Sequence, residues 1–592
     1  RAIYAWDGNN RGNSVEVNAI KSENTINSIA IVAEKNAKIT VNGTASSNPS
    51  IIGTTDGTGF EYGVKINDSN RVVSATDATS TDNVGAAYAN NEAVITINRT
   101  ALPSVADGPN ISIKGGTDKH TNRSVGFGLF ADNKAKINAQ KNWIKVKDGS
   151  TNVASLNKAK VDLTGATVDY DGEGYALYTD QSSGTDAIDM TGATLELRGK
   201  AVGYVNDQNH PGNIKLTGTT INVYNDEVIV ADLQNTSGTT KVTVNVENKT
   251  SPGDSLKDQL LGGSGVNVVD KTSATPNGKF KYAVVDDANI NIKSAIDKAG
   301  SGSTNDSETF TKRFLYQNSR INSAGSVKAE LNTTQLNNID ANLTAPVGLA
   351  VTASAKSTNT STTGINNKGT VSADRTDAGQ GGIGLYVDYG FINNEAGSVV
   401  NVEKTGSNGP NDKAIGIFGT NSTNIVNKGA VNAGGKKSIG ILGLSYRIDK
   451  TKAVVDPSTE KYFSLLAPTG TYGNVSVIND QTGTITMDDD SAVGLFVKNN
   501  SAGKSIVTTK FQTLGTNKGT ITINGNNNSV GMGADNGIVT NDTTGKIYVN
   551  GTKSVGIYGT KDSNLIMEKS TLQQLLLEMN QSVCLLMMQI LQ

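Results

Sequence analysis

The chain has 592 residues, a net charge of −2, 18% charged residues and 5% aromatic residues. Its 65 glycines stand beside abundant Asn, Ser and Thr, a composition that is untypical of helical bundles and coiled coils. Without a basic block it predicts no nucleic-acid partner, and without a long apolar run it predicts no membrane insertion by this fragment. The opening residues "RAIYAWDGNN" lack the features of a signal peptide, so we expect an internal fragment.

Residues 1–250 are predicted to form irregular β-helix coils. They contain two scattered glycine phrases, "NRSVGFGLF" at 122–130 and "GKAVGYVND" at 199–207. Residues 251–343 are less regular and include segments such as "DDANINIKSAIDKAG" that are compatible with a helix. We expect either an inserted subdomain or further irregular coils there.

Residues 344–564 repeat two short phrases regularly. The first is "NKGTV" at 367–371, "NKGAV" at 427–431 and "NKGTI" at 517–521; the second is "KSIGILG" at 437–443 and "KSVGIYG" at 553–559. Apolar and polar residues alternate after the first glycine, which indicates a strand. Short strands, glycine turns and a period of about 24 to 37 residues favour an all-β, right-handed parallel β-helix (a β-solenoid) with loop excursions over a propeller.

The repeats carry three structural expectations. Asn-Lys-Gly and Asn-Gly are expected to supply positive φ angles at the turns. The apolar residues of the second phrase are expected to point into the coil. Asparagines at equivalent turns are expected to form amide ladders along the outside of the stack.

The last segment, residues 565–592, does not follow the repeat. It reads "LIMEKSTLQQLLLEMNQSVCLLMMQILQ" and holds the single cysteine, Cys584. Back-translation with a permitted choice of codons, read two bases downstream, gives DNGKIYITTAIAGNESVGMFANDADIT, which restores both phrases. We therefore interpret this segment as a frameshifted, non-native tail.

Candidate catalytic and metal-binding groups are few. His120 and His210 are predicted to be exposed loop residues. The segment "GDSL" at 253–256 resembles an esterase nucleophile motif, but those enzymes need a catalytic histidine downstream and this chain has none after His210. Asp488, Asp489 and Asp490 would alternate between two faces if they lay on a strand, which is a poor arrangement for calcium, and we interpret them as a solvated turn. The segment "GGSGVNVVD" from Gly262 resembles one half of a calcium-binding nonapeptide, but it occurs once, whereas such calcium sites need adjacent copies. We predict no enzyme, no catalytic residue, no cofactor and no metal.

The excursion between Leu442 and Gly473 is rich in aromatic residues in a chain that otherwise has few. Aromatic and arginine side chains often anchor interfaces, although they could equally pack the loop onto the coils. The predicted partner-binding residues are Tyr446, Arg447, Tyr462, Phe463 and Tyr472.

The alternation of Asn-Lys-Gly-x-Ile/Val with Ser-Val/Ile-Gly-Ile-Tyr/Phe, together with the low cysteine content, resembles the passenger region of large fusobacterial type V autotransporter adhesins. The resemblance is clearest over residues 364–560. It implies a secreted, monomeric passenger at the cell surface, anchored by an outer-membrane barrel that is not present in this fragment. Its implied partner is a glycan or protein on host cells or other bacteria.

Two alternatives stay open. The head of a trimeric autotransporter adhesin shares similar phrases, but it would have shorter repeats and a heptad stalk. A polysaccharide-cleaving β-helix enzyme would need carboxylates or basic groups clustered on neighbouring coils.

Overall fold

A computed structural model shows two compact units, Arg1–Val242 with Lys257–Val285 and Thr243–Leu256 with Asp286–Gln592, called unit 1 and unit 2 below. The residues that the structure describes are 3–7, 12–17, 21–22, 29–42, 51–52, 65–66, 72–73, 85–106, 108–117, 124–180, 186–207, 213–234, 242–246, 261, 265–273, 280–293, 314–331, 345–351, 362–377, 381–403, 413–420, 422–445, 474–499, 513–560 and 563–568. They contain no helix, and therefore none that could span a membrane.

Unit 1 is built from three parallel sheets, here called A, B and C. Its strands in sheet A are Ile3–Trp6, Ile29–Glu34, Gly85–Asn90, Phe127–Ala131, Thr151–Ser155, Tyr175–Thr179, Val202–Asp207, Ile229–Gln234 and Lys281–Asp286. Sheet B comprises Ser14–Val17, Lys38–Val41, Val94–Ile97, Lys136–Asn138, Lys160–Asp162, Ile188–Asp189 and Ile214–Lys215. Sheet C comprises Lys21–Ser22, Ile51–Ile52, Ile111–Lys114, Trp143–Lys147, Thr167–Gly172, Thr194–Gly199, Thr220–Val223 and Asn267–Asp270. Two short antiparallel pairs are Lys65–Ile66 with Val72–Val73 and Gly116–Thr117 with Ser124–Val125.

Unit 2 repeats the arrangement with three further parallel sheets, called D, E and F. Sheet D comprises Ala288–Ile292, Arg320–Ser323, Gly364–Asn367, Phe391–Asn394, Asn424–Asn427, Ser476–Asn479, Leu514–Asn517, Ile538–Asn541 and Asn564–Met567. Sheet E comprises Ser326–Leu331, Thr370–Arg375, Val399–Val402, Ala430–Ala433, Thr484–Met487, Thr520–Ile523 and Lys546–Val549. Sheet F comprises Val347–Val351, Ile383–Asp388, Ile415–Thr420, Ile439–Ser445, Val493–Asn499, Val530–Asp535 and Val555–Gly559. The remaining strands are Val242–Val246 and Phe314–Gln317.

The predicted all-β fold of stacked parallel coils is confirmed. Within each of the six sheets the strands pair in parallel, and each regular coil of unit 2 contributes one strand to each of its three sheets. Strands between 265 and 331 continue this pairing; Asn267–Asp270, for example, aligns with Thr220–Val223. The domain limits proposed from the sequence remain predictions.

The interior is made by strand alternation, as sheet E illustrates. Ile485 and Ile521 are aligned and completely buried, while the threonines on either side of them face outward. A fully buried side chain of this size contributes about 1.5–3 kcal/mol. Since one coil buries few such residues, only stacking can offset the entropy of ordering it.

The asparagine ladder of unit 2 is buried, which corrects the expectation of a ladder on the outside. Each amide Nδ2 donates to the Oδ1 of the asparagine in the next coil at 2.7–2.8 Å. All six side chains are 0% exposed. They are Asn367, Asn394, Asn427, Asn479, Asn517 and Asn541. The ladder is buried because each asparagine is the last residue of its sheet D strand, two positions after a buried residue and therefore on the same interior side.

Outward-facing amide ladders also occur. Asn291, Asn322, Asn366 and Asn393 form one on sheet D, with donor–acceptor distances of 2.8–2.9 Å. These side chains are only partly buried. The sequence therefore encodes two kinds of ladder, and the buried one is the more costly to interrupt, because its amides have no solvent to replace a lost partner.

Glycines of the two repeated phrases serve close approach between coils, not the positive φ angles that the sequence suggested. A Cβ on Gly519 would lie 2.2 Å from the carbonyl oxygen of Gly483, and one on Gly440 would lie 2.5 Å from that of Gly494. Neither glycine has a positive φ. Coil backbones approach closely at these positions, so a side chain would force them apart.

Only part of the second phrase points inward, which corrects the expectation that all its apolar residues do. In "AIGIFG" the buried Ile417 lies in the coil interior, whereas Ile415 and Phe418 belong to a separate cluster on the outer face of sheet F. The outer cluster consists of Ala345, Ile383, Tyr386, Ile415, Phe418, Leu442 and Leu444. Leu442 and Leu444 fall on this face because strand residues alternate and the intervening Gly443 faces Val477 in the interior.

Candidate binding surfaces

The outer face of sheet C in unit 1 collects charged and aromatic side chains from successive coils. The strands "WIKVK" (143–147), "TVDYD" (167–171) and "TLELR" (194–198) alternate buried apolar residues with outward polar ones. Their register aligns Lys145 with Asp169 and Asp169 with Glu196. Residues distant in sequence are thereby brought to adjacent positions on one surface.

Arg198 is the centre of this polar face. Its Nε is 2.9 Å from Oδ1 of Asp169, and its Nη2 is 3.4 Å from Oε2 of Glu196. Lys145 Nζ approaches the other Asp169 oxygen at 3.6 Å, and Asn222 Nδ2 donates to Glu196 Oε1 at 2.9 Å. Because aligned carboxylates repel each other, the guanidinium that bridges them explains how two acidic side chains can occupy neighbouring coils.

An aromatic ring completes the polar face. The Arg198 guanidinium carbon lies 3.8 Å from the centroid of the Tyr224 ring, within the range of a cation–π contact. Burial alone would lower the pKa of Arg198, but Asp169, Tyr224 and Glu196 raise it above its ordinary value. Burial and a hydrogen bond with Glu196 raise the pKa of Tyr224. These neighbours thus favour the charged form of Arg198 and the neutral form of Tyr224.

Trp143 lies on the same outer face as Lys145, two residues away on its strand. Its indole Nε1 is buried and has no hydrogen-bond acceptor among the residues that the structure describes. Together with Tyr224 it gives the surface both flat apolar area and polar groups. Such a combination can bind a polyhydroxylated ligand, whose hydroxyls donate and accept hydrogen bonds while its C–H faces pack on rings.

The five predicted partner-binding residues, Tyr446, Arg447, Tyr462, Phe463 and Tyr472, lie outside the described residues, as do His120, His210, "GDSL" and Cys584. The structure does show where their excursion begins. Ser445, the last residue of its sheet F strand, pairs in register with Asn499, which ends the next strand. The connections 446–473 and 500–512 therefore begin side by side, at the carboxyl ends of two neighbouring strands of sheet F.

The three consecutive aspartates accept hydrogen bonds from neighbouring coils. Asp488 accepts from the Asn524 side chain at 2.8 Å, Asp489 from the Gly435 backbone N–H at 2.7 Å, and Asp490 from the Asn526 backbone N–H at 2.9 Å. No group of three metal-ligating side chains converges anywhere in the described part of the chain. These aspartates connect coils to one another.

Sequence reasoning missed the polar face of sheet C. Its signal was available in the outward positions of consecutive strands, since 145, 169, 196 and 222 recur at intervals of 24, 27 and 26 residues. No family model, curated protein or solved structure matches the chain.

Proposed function

We propose that the chain is the binding part of a cell-surface adhesin passenger, which attaches to glycans or proteins on host cells or other bacteria. The polar face of sheet C, centred on Arg198, is the observation that carries this proposal. It displays Lys145, Arg198 and the ring of Tyr224 on a stack of coils, with the part-buried Glu196 and the buried Asp169 holding the guanidinium in position. The excursions that begin after Ser445 and Asn499 supply a second candidate surface.

The stack suits this task because its interior fixes the spacing of the outer side chains. Ile144, Val168 and Leu195, which lie on the inner side of the same three strands, are 0% exposed. Their packing holds each outer residue at the spacing between neighbouring strands, about 4.8 Å. A ligand that spans several coils would meet a preformed surface and would bind at a low entropic cost.

Binding of the purified chain to bacterial and host-cell surfaces tests the proposal. Lys145→Gln removes a charge from the polar face, while Lys136→Gln makes the same change on an exposed lysine of neighbouring sheet B. A third variant lacks residues 446–473. We expect saturable binding that Lys145→Gln weakens about tenfold, the order of one lost charged contact, and that Lys136→Gln leaves unchanged.

The outcomes separate the two surfaces. If only the excursion variant loses binding, the site lies in the connection and not on sheet C. If no variant and no parent chain binds either type of surface, the adhesin proposal fails. Far-ultraviolet circular dichroism of each variant verifies that the coils are intact.

A polysaccharide-cleaving β-helix is the second candidate, because the feature it requires is present. Asp169 and Glu196 place carboxylates on neighbouring coils, with Lys145 and Arg198 beside them. Incubation with acidic and neutral polysaccharides, followed by an assay for new reducing ends, tests this activity. A product that disappears in Glu196→Gln but persists in Glu92→Gln, an exposed glutamate elsewhere in unit 1, would favour the enzyme.

A further inference from the structure

The polar face of sheet C presents cations to solvent and keeps its carboxylates covered. The side chains of Lys145 and Arg198 are 36% and 33% exposed, whereas those of Asp169 and Glu196 are 2% and 14% exposed. Both carboxylates also contact the Arg198 guanidinium, at 2.9 Å and 3.4 Å. A ligand that approaches this face therefore meets positive charge, although the whole chain has a net charge of −2.

Lys145 keeps hydrogen-bond donors for such a ligand. Its Nζ lies 3.6 Å from Oδ2 of Asp169, which is close enough for an ion pair but longer than an N–H···O hydrogen bond. Because an ammonium group has three donors, Lys145 can donate to an anionic group above the face while it remains attracted to Asp169.

Lys147 adds an exposed cation two residues further along the same strand. Its register partner on one neighbouring coil is Lys114, a second cation, and aligned like charges repel each other. Its partner on the other coil, Asp171, is half-buried beside Gly199. An anionic group placed above Lys147 would therefore relieve repulsion within the row.

Two aromatic rings lie among these cations. Trp143 precedes Lys145 by two residues on the strand, and the Tyr224 ring stacks on the Arg198 guanidinium at 3.8 Å. Outward positions are about 6.6 Å apart along a strand and about 4.8 Å apart between strands, so a short stretch of one linear ligand can reach cations and rings together. Sugar rings offer C–H faces that pack on aromatic rings, which favours a glycan over an acidic peptide.

We propose that the polar face of sheet C binds an acidic glycan. Its carboxylate or sulfate groups pair with Lys145, Lys147 and Arg198, and its sugar rings pack against Trp143 and Tyr224. This proposal rests on the proposed function, because it names the ligand class of the same face. Charge-assisted hydrogen bonds are stronger than neutral ones, so the anionic groups supply affinity and the rings select a saccharide.

Calorimetric titration of the full chain with five probes tests the proposal. Polygalacturonate carries carboxylates and dextran sulfate carries sulfates; methyl-esterified polygalacturonate and dextran are their neutral counterparts. Poly-L-glutamate carries carboxylates without sugar rings. We expect at least one acidic glycan to bind about tenfold or more tightly than its neutral counterpart and than polyglutamate. Binding of one acidic glycan identifies the anionic group, and binding of both shows that either group is accepted.

Two further measurements place the ligand. The chain has two tryptophans, so Trp6→Phe, a change at an exposed residue of sheet A, leaves Trp143 as the only tryptophan. We expect its fluorescence to change saturably with the acidic glycan. Lys147→Gln should weaken binding about tenfold, as one lost charged contact does. Lys160→Gln makes the same change in net charge at an exposed lysine of sheet B and should leave binding unchanged.

Several results would overturn the proposal: no binding of either acidic glycan, equal binding of acidic and neutral probes, or binding of polyglutamate as tight as that of the glycans. Equal weakening by Lys147→Gln and Lys160→Gln, or binding without a change in Trp143 fluorescence, would also overturn it. Cell binding separates this proposal from the adhesin function. A chain that attaches to cells but binds no acidic glycan refutes only the ligand class, and one that binds acidic glycans but no cell surface refutes only the adhesin function.

Discussion

Replacing Asn427 by alanine interrupts the buried ladder near its middle. The change removes the acceptor of Asn394 Nδ2, at 2.7 Å, and the donor to Asn479 Oδ1, at 2.8 Å. Asn394 Nδ2 keeps only a 3.5 Å contact with the Ala430 carbonyl oxygen. A buried polar group without a partner costs roughly 1–3 kcal/mol, so the two together should lower the local free energy of opening by about 2–6 kcal/mol.

Native-state hydrogen exchange measures this quantity directly, since each 1.4 kcal/mol accelerates exchange through opening about tenfold. The amides to follow are those of Asn424–Asn427 and Ser476–Asn479. Asn432→Ala is the matched control, because Asn432 donates to Asn401 at 2.9 Å in a partly buried outer ladder, where water can replace it. If the two substitutions accelerated amide exchange to a similar degree, the argument that burial increases the stability contributed by the inner ladder would be refuted.

Three further predictions concern glycine, acid and alkali. Gly494→Ala should lower the free energy of unfolding of unit 2 by about 1–3 kcal/mol, because the added Cβ would lie 2.6 Å from a backbone oxygen. Gly556→Ala, where a Cβ would meet no close atom, should change it little. Urea titration of the two variants measures the difference. Burial by itself raises the pKa of Asp189, but hydrogen bonds, including one from Lys215, lower it below its ordinary value. Its contribution to stability is therefore present above the unfolded pKa of about 3.9 and is lost as the pH falls, so Asp189→Asn should narrow the stability difference between pH 5 and pH 2. Burial raises the pKa of Tyr204 above its ordinary value. The contribution of this tyrosine to stability is therefore complete below the unfolded pKa of about 10 and declines at higher pH. Tyr204→Phe should reduce the loss of folded protein at alkaline pH, measured by circular dichroism.

The coil architecture could be predicted because its signal is local and repeated. Alternation in "GTITING" specifies a strand, and the recurrence of that strand specifies a stack. The direction of individual side chains could not be read so simply. In "SIGILG" the residue pair Gly440 and Ile441 both face the interior, so strict alternation fails within the phrase. Period-two reasoning then assigns Ile439 to the wrong face.

The polar face of sheet C could not be predicted from any single segment of the sequence. Lys145, Asp169 and Arg198 each look like an ordinary outward residue of a strand, and their proximity depends on register between coils. Coil lengths in unit 1 vary, so register could not be taken from a constant period. The predicted residues at Tyr446 and Arg447 rested on local aromatic enrichment instead, a signal that requires no register.

The buried ladder accounts for the lengths of the connections between the sheets of unit 2. Between sheets D and E the turns contain only two or four residues, as in 428–429 and 480–483. A longer insertion there would displace an asparagine that both neighbouring coils need. Between sheets F and D the described residues form no such ladder, and the connection lengths range from 389–390 to 446–475. The buried column of amides therefore accounts for the short turns between sheets D and E, and the longer connections lie at other corners of the coil.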